Sequence, residues 1–405
     1  MTAHAAAAAP RRLMLDKVGV PVGLLAIGAL LFAPFVVLRA NRIAAGTDLS
    51  LFQSLPAAQA GIVAALWIAG ALATAIASRA RVRVALGCAL LVSLGFVTGA
   101  AAMHVVAPDD ALARVSPAAG VWLLLFAWSV LVADALARVA PGPWQRVAAL
   151  AVAAALVAAT LKSGWWDGLS VMREYAVRSD GFWQEGARHL ALVGGSVAAA
   201  LVVGVPLGIA CARVTALRRA AMPVLDIVQT IPSIAMYGLM MAPLGLLAAH
   251  VPLAAALGIR GIGVAPALVA LFLYALLPIV SSVVVGLRQV PPLAIEAATA
   301  MGMTRAQRLA QVELPLALPV ILSGVRIVLV QNIGLAAVAA LIGGGGFGTF
   351  IFQGIGQSAS DLVLLGALPT IALALVAATV FDAATALAKG RAGRAGRAEH
   401  AGGAR

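Results

Sequence analysis

The chain has 405 residues, 63% of them hydrophobic and 11% charged. A soluble globule carries roughly a quarter charged residues, so these proportions exclude one and predict an all-α polytopic membrane protein. The net charge of +13 does not indicate nucleic acid, because the Lys and Arg residues stand in short clusters between apolar runs, as the positive-inside rule produces.

A helix needs roughly 20 residues to cross the hydrocarbon core. Runs of about that length lie near 18–38, 58–78, 84–106, 117–137, 147–163, 189–212, 222–246, 264–287, 317–341 and 362–385, which predicts ten transmembrane helices. The first follows Arg11, Arg12 and Lys17 and exceeds the roughly 7–15-residue apolar core of a cleaved signal, so a retained signal anchor is expected. With both termini cytoplasmic, 19 of the Lys and Arg residues fall in inside segments and 8 in outside segments, with Arg326 inside a run.

The chain divides near residue 163. Residues 1–162 form a five-helix region without a functional motif. Residues 163–188 are polar and rich in Trp165, Trp166, Tyr175, Phe182 and Trp183, which predicts a short amphipathic helix or loop at the outer interface. Residues 189–388 hold five further helices, and the basic, low-complexity tail 389–405 is expected to be disordered. Cys88 and Cys211 lie within apolar runs, placed for neither a disulfide nor a metal site. The five histidines are dispersed without metal-ligand spacing.

The polar segment 288–316 lies between two spans. It carries Glu296-Ala297-Ala298, then Gly302, Val312 and Leu314-Pro315. Thr304-Arg305-Ala306-Gln307 fits a capping box and predicts a helix start, separated by Gly302 from a first helix around Glu296–Met301. The small Ala297, Ala298 and Ala300 permit close approach by a partner, and Pro315 is expected to limit the second helix.

Two features lie within the spans themselves. Pro232 interrupts the run 222–246 and frees a carbonyl for Thr230, Ser233 or water. Such a break either lines a cavity or is a packing kink, and Gln229, Thr230, Pro232 and Ser233 are translocation-path candidates. Charges in a span cost at least a few kcal/mol. Asp134 has Arg138 one turn away, whereas Arg326 has no evident local partner; Asp226 or backbone carbonyls are available to it, and it joins the path candidates.

The spacing EAA, three residues, Gly, nine residues, an aliphatic residue, one residue, Leu-Pro resembles the EAA loop of permease subunits in binding-protein-dependent ABC importers. Val205-Pro206-Leu207-Gly208, read as a turn, Gln229-Thr230-Ile231-Pro232-Ser233, Tyr274-Ala275-Leu276-Leu277-Pro278-Ile279-Val280 and the glycines from Gly343 to Gly348 are similar to the osmoprotectant branch, which takes up glycine betaine, choline and carnitine. That branch carries Arg-Asn after its LLPIV, where this chain has Ser281-Ser282.

The resemblance implies a permease core within 189–388 and a coupling role for Glu296, Ala297, Ala298, Gly302, Leu314 and Pro315 against an ATP-binding subunit. It also implies a solute-binding protein, a second permease chain and a bacterial inner-membrane location. No G-x-x-x-x-G-K-[ST] occurs, so no cofactor is expected on this chain; ATP and Mg belong to the partner subunit and no enzymatic chemistry is expected here. Amino acids or other small solutes are the alternative cargo, and an ion-coupled secondary transporter is the rival class.

Overall fold

The structure is a computed structural model that describes residues 16–41, 44–76, 79–107, 110 and 112–402, with 391–402 as backbone alone. Arg11 and Arg12, on which the signal-anchor expectation rests, lie outside these residues. The chain forms two compact units, one comprising the residues up to Pro141 with Ala155–Arg173, the other Gly142–Ala154 with the residues from Glu174 onward.

The first unit begins with α1 (Gly19–Phe32), shorter than the predicted run 18–38. Pro34 is the reason: the residue before a proline is pushed out of the helical region, and Ala33 is extended at φ −97°, ψ 145°. At 1.5 Å per residue, α1 is about 21 Å long, short of a full crossing. The remainder of that run becomes β1 (Val36–Arg39), the centre of a three-stranded antiparallel sheet with β2 (Thr47–Leu49) and, further along the chain, β3 (Arg114–Pro117). Val37 faces both Asp48 and Ser116. The all-helical expectation missed this sheet because strands of three or four residues leave no periodicity to detect.

Between β2 and β3 come α2 (Leu51–Ser54), α3 (Ala57–Ile76) and α4 (Ala80–Val105); α5 (Ala119–Val139) follows β3. Their apolar stripes meet around Trp67, Leu94, Leu124, Trp128 and Leu131, all buried. The Trp67 indole N–H donates to Ser93 Oγ at 2.9 Å. A charge cluster sits at one end of the unit. Arg83, 1% exposed, lies 2.6 Å from Asp16 and 3.2 Å from Asp134, and Arg138 reaches the same two carboxylates. The predicted Asp134–Arg138 pair is present, within a larger cluster. Asp16 also accepts from the Val18 and Gly19 amides, capping α1. Burial pushes its carboxyl up, but the two amides, Arg138 and Arg83 outweigh that and hold it at about 2.

Helix α6 (Pro143–Lys162) is long and apolar enough to span and has no buried residue. After it, the indoles of Trp165 and Trp166 donate to the Phe96 and Gly95 carbonyls, each at 2.9 Å.

Helix α7 (Ser170–Val177), the short amphipathic helix, has its first four residues in the first unit and its last four in the second, where α8 (Ser179–Arg213) starts ten residues before the predicted span at 189. Val205-Pro206-Leu207-Gly208 is therefore no turn; it lies inside α8, whose packing keeps the helix continuous past Pro206. Predicted run 222–246 is two helices, α9 (Thr215–Thr230) and α10 (Ser233–His250), parted at Ile231-Pro232. The order continues with α11 (Pro252–Ala256), α12 (Val264–Arg288), α13 (Pro292–Ala300), α14 (Arg305–Arg308), α15 (Leu314–Val338), α16 (Gly348–Gly356) and α17 (Ser360–Gly402).

Helix α12 is the hub, packed on α8 and α15, with α17 against α15. Gly204 and Gly208 of α8 lie against Ile279 and Val283, the small-residue contact that lets spans approach closely. The Asn332 amide, fully buried, donates to Ser196 Oγ at 2.9 Å and to the Leu271 carbonyl, joining three helices.

Nine helices among the described residues are long and apolar enough to cross a membrane, against ten predicted; α1 falls short. The backbone of α17 stays helical to Gly402, across the tail predicted to be disordered. Alanine and arginine, which alternate with glycine there, are strong helix formers.

Candidate functional site

The interspan loop is two short helices and a wide turn. Helix α13 opens with Pro292 in its first turn, where the missing N–H costs nothing, and closes on Gly302. The Gly302 backbone is left-handed at φ +79°, a conformation that favours glycine. The predicted capping box forms: the Gln307 amide donates to Thr304 Oγ1 at 3.3 Å and the Thr304 amide to Gln307 Oε1 at 2.9 Å.

Pro315 does not end this second helix, contrary to expectation. The chain passes from α14 through a π-helical turn, Leu309–Glu313, directly into α15, with Pro315 in the first turn of α15. The wider turn precedes Pro315, whose missing N–H falls in the first turn of α15, where it costs little.

Helix α13 has two faces. Ala298 is buried, and Ile295 packs toward the core with Leu309 and Leu314. Leu293, Glu296, Ala297, Ala300 and Met301 are exposed at helical spacing, Leu293 to 76% and Met301 to 70%. Two large apolar side chains and two alanines thus flank one carboxylate on an outward stripe.

At the broken span, two prolines are reconciled by two side chains. Pro278 inside α12 leaves the Tyr274 carbonyl without its intrahelical donor, and Gln229 Nε2 donates to that oxygen at 2.7 Å. Tyr274 Oη in turn donates to the Ile231 carbonyl beside Pro232, and Tyr237 Oη to the Leu335 carbonyl at 2.8 Å. Thr230 bonds back to Ile227 within its own helix. Arg326 does not pair with Asp226. Its partner is Asp382 of α17, at 2.8 Å. Asp382 lies within the predicted run 362–385, so the same search for isolated charges in spans would have found it.

The glycines after α15 form a sharp break. Gly343, Gly345 and Gly346 all have φ between 76° and 85°. The Gly346 amide donates to Glu185 Oε2, and an added Cβ there would stand 3.0 Å from His189 Nδ1. Phe182 beside them is ringed by Tyr175, Trp183, Phe347 and Phe350 at centroid distances of 5.2 to 6.2 Å. These rings fill one another's faces, which is packing and not a cation cage. No cluster of His, Cys, Asp or Glu suited to a metal occurs among the described residues.

The model for the binding-protein-dependent transport system inner membrane component matches residues 204–392, and that for the N-terminal domain of ABC transporter permease YehY matches 16–172. The chain is 43% identical over 189 residues to the osmoprotectant import permease protein OsmW of Salmonella typhimurium, covering 47% of this chain and 83% of that one. The chain belongs to the ABC-importer permease family. A second relative, the glycine betaine/carnitine/choline transport system permease protein OpuCD of Bacillus subtilis, is 37% identical, covering 48% of this permease and 78% of OpuCD. Among solved structures, an inward-facing MetNI methionine ABC transporter aligns with 52% of this permease and 95% of its own chain at a TM-score of 0.45 and 24% identity.

Membership decides between the two transporter classes left open by the sequence, in favour of the ATP-driven one. This permease is a multi-span subunit of a bacterial inner-membrane importer that works with ATP-binding and substrate-binding partners.

Proposed function

We propose that this permease imports small quaternary-amine osmoprotectants of the glycine betaine, choline and carnitine class. The observation that carries the reading is the 43% identity to an osmoprotectant import permease across 83% of that protein, on top of the QTIPS, YALLPIV and glycine-cluster elements. The exposed stripe of α13, with Glu296 and Ala297 between Leu293 and Met301, supports docking on an ATP-binding subunit. An apolar patch around one charge is what a buried partner surface accepts.

ATP and Mg belong to that subunit, and this chain performs no covalent chemistry. The Lys and Arg distribution supports a cytoplasmic position for both termini and the loop. One permease chain supplies one loop, so a second copy or a sister permease completes the complex. The junction of α9 and α10, with Gln229, Thr230, Pro232 and Ser233, lines the path together with Arg326; half-exposed charges within a span need water or protein beside them, not lipid.

Uptake of labelled glycine betaine, choline and carnitine into proteoliposomes holding the whole complex tests this, with ATP on the loop side and solute-binding protein on the other. Transport of at least one of the three is expected. Transport of none of them alongside uptake of an amino acid would overturn the cargo and leave the importer assignment standing.

A further inference from the structure

We infer that Glu313 is the positioning residue that fastens the coupling loop to α8 and α15, so that displacement of α13 reaches the spans; this rests on reading the loop as the ATPase-coupling element. Glu313 ends the π-helical turn and its side chain is 3% exposed. Oε1 accepts from Arg308 Nε at 2.9 Å, and Oε2 accepts from Arg213 Nη2. Arg308 also donates through Nη1 to Thr299 Oγ1 at 3.0 Å, and Thr299 is the residue directly after Glu296-Ala297-Ala298. Arg213 is the last residue of α8. One carboxylate therefore joins four elements: α13 by way of Arg308, α14, the start of α15 and the inner end of α8.

The physical case is the cost of separating the parts. A buried carboxylate is tolerated only while its partners stay in place, and removing one is strongly unfavourable. A shift of α13 pulls Arg308 through Thr299. Arg308 then either abandons Glu313, leaving it buried with a single partner, or carries Glu313 and Arg213 along. The second course is the cheaper one, and it moves the ends of two spans. The wide turn contributes by rotating Glu313 inward between the two guanidinium groups; π-helical turns within α-helices frequently mark functional positions. An apolar residue at 313 would pack there without holding Arg213 and Arg308 in register.

The test uses the reconstituted complex with ATP-binding subunit and solute-binding protein, measuring ATP hydrolysed and solute imported on the same vesicles. Glu313→Gln keeps the shape and removes the charge. It is expected to assemble, to hydrolyse ATP, and to import about tenfold less solute per ATP, within the range of ordinary coupling free energies. Arg213→Gln should give the same loss, and the double variant no more than either alone. Equal falls in hydrolysis and uptake, with an unchanged ratio, would mean a structural role only and overturn the inference, as would unchanged uptake. If Glu313→Gln fails to assemble, Thr299→Val at an exposed position carries the test: a reduced ratio supports the inference and an unchanged one overturns it. Glu296→Lys run in parallel separates the two readings. If it uncouples and the Glu313 and Thr299 variants do not, the inference fails alone; if it leaves coupling intact, the reading of the loop itself fails.

Discussion

Gln229 and Tyr274 each donate to a backbone carbonyl in the other's neighbourhood. Gln229 donates to the Tyr274 carbonyl, orphaned by Pro278, at 2.7 Å, and Tyr274 donates to the Ile231 carbonyl next to Pro232 at 2.5 Å. The break between α9 and α10 and the proline in α12 are thus one structural unit. Gln229, named as a path residue from its sequence position, spends its amide on this bond.

Gln229→Ala and Tyr274→Phe should each cost about 1 kcal/mol, since a backbone carbonyl loses its partner in either case. The double variant should cost less than the sum, because both bonds hold the same junction. Thermal unfolding in detergent of the four proteins measures this; strictly additive losses would show the two bonds to be independent.

At the coupling loop, Glu296→Lys should abolish import while leaving insertion intact, because Glu296 is exposed on a short helix between two spans. Gly302→Asp should do the same by adding a carboxylate to the docking surface, with backbone strain of about 1 kcal/mol at its φ of +79° besides. Co-purification of the ATP-binding subunit with each variant checks both. Normal association together with substrate-stimulated ATP hydrolysis would contradict the docking role.

Gly346→Ala should destabilise the second unit by about 1–2 kcal/mol, since its φ is +85° and the new Cβ would press on His189. Glu185→Gln keeps one acceptor oxygen for the Gly346 amide and should cost less than Glu185→Ala. Midpoints of thermal unfolding rank the three variants.

Acid should weaken the first unit through Asp16. Its folded pKa, about 2, lies below the ordinary carboxylate value of 3.8. The stabilisation is therefore complete above about pH 5 and disappears as the pH falls through about 4 toward 2. Asp16→Asn should remove this acid limb and cost about 2 kcal/mol at neutral pH, since it leaves the buried Arg83 with Asp134 alone. Unfolding midpoints of both proteins between pH 2 and 7 test the sign.

The transport module is expected to need the residues from Glu174 onward, a longer stretch than 189–388. A start at 189 would remove Glu185 and with it the acceptor of the Gly346 amide. A chain beginning at Glu174 should assemble with its partners and import. Stable assembly without import would place the first unit in the path.

The features that the sequence determined are local ones. A run of apolar residues announces a span, Thr304 and Gln307 announce a helix start three residues apart, and clustered glycines announce a break, because in each case the physical cause lies within a turn or two of chain. The EAA spacing is of the same kind, which is why the loop was legible before any fold was known. Pro232 broke its run as its local chemistry requires, but other local signals failed where tertiary packing competed with them: Pro206 stayed helical and Pro315 followed a wider turn into α15. Only the tertiary structure decided the partners. Arg326 with Asp382, Glu313 with Arg213, Asp16 with Arg83 and Gln229 with Tyr274 all join residues far apart along the chain. A charge or an amide in the sequence states that a partner is required, since burying it alone is costly, but which distant residue supplies that partner is fixed by how the helices pack.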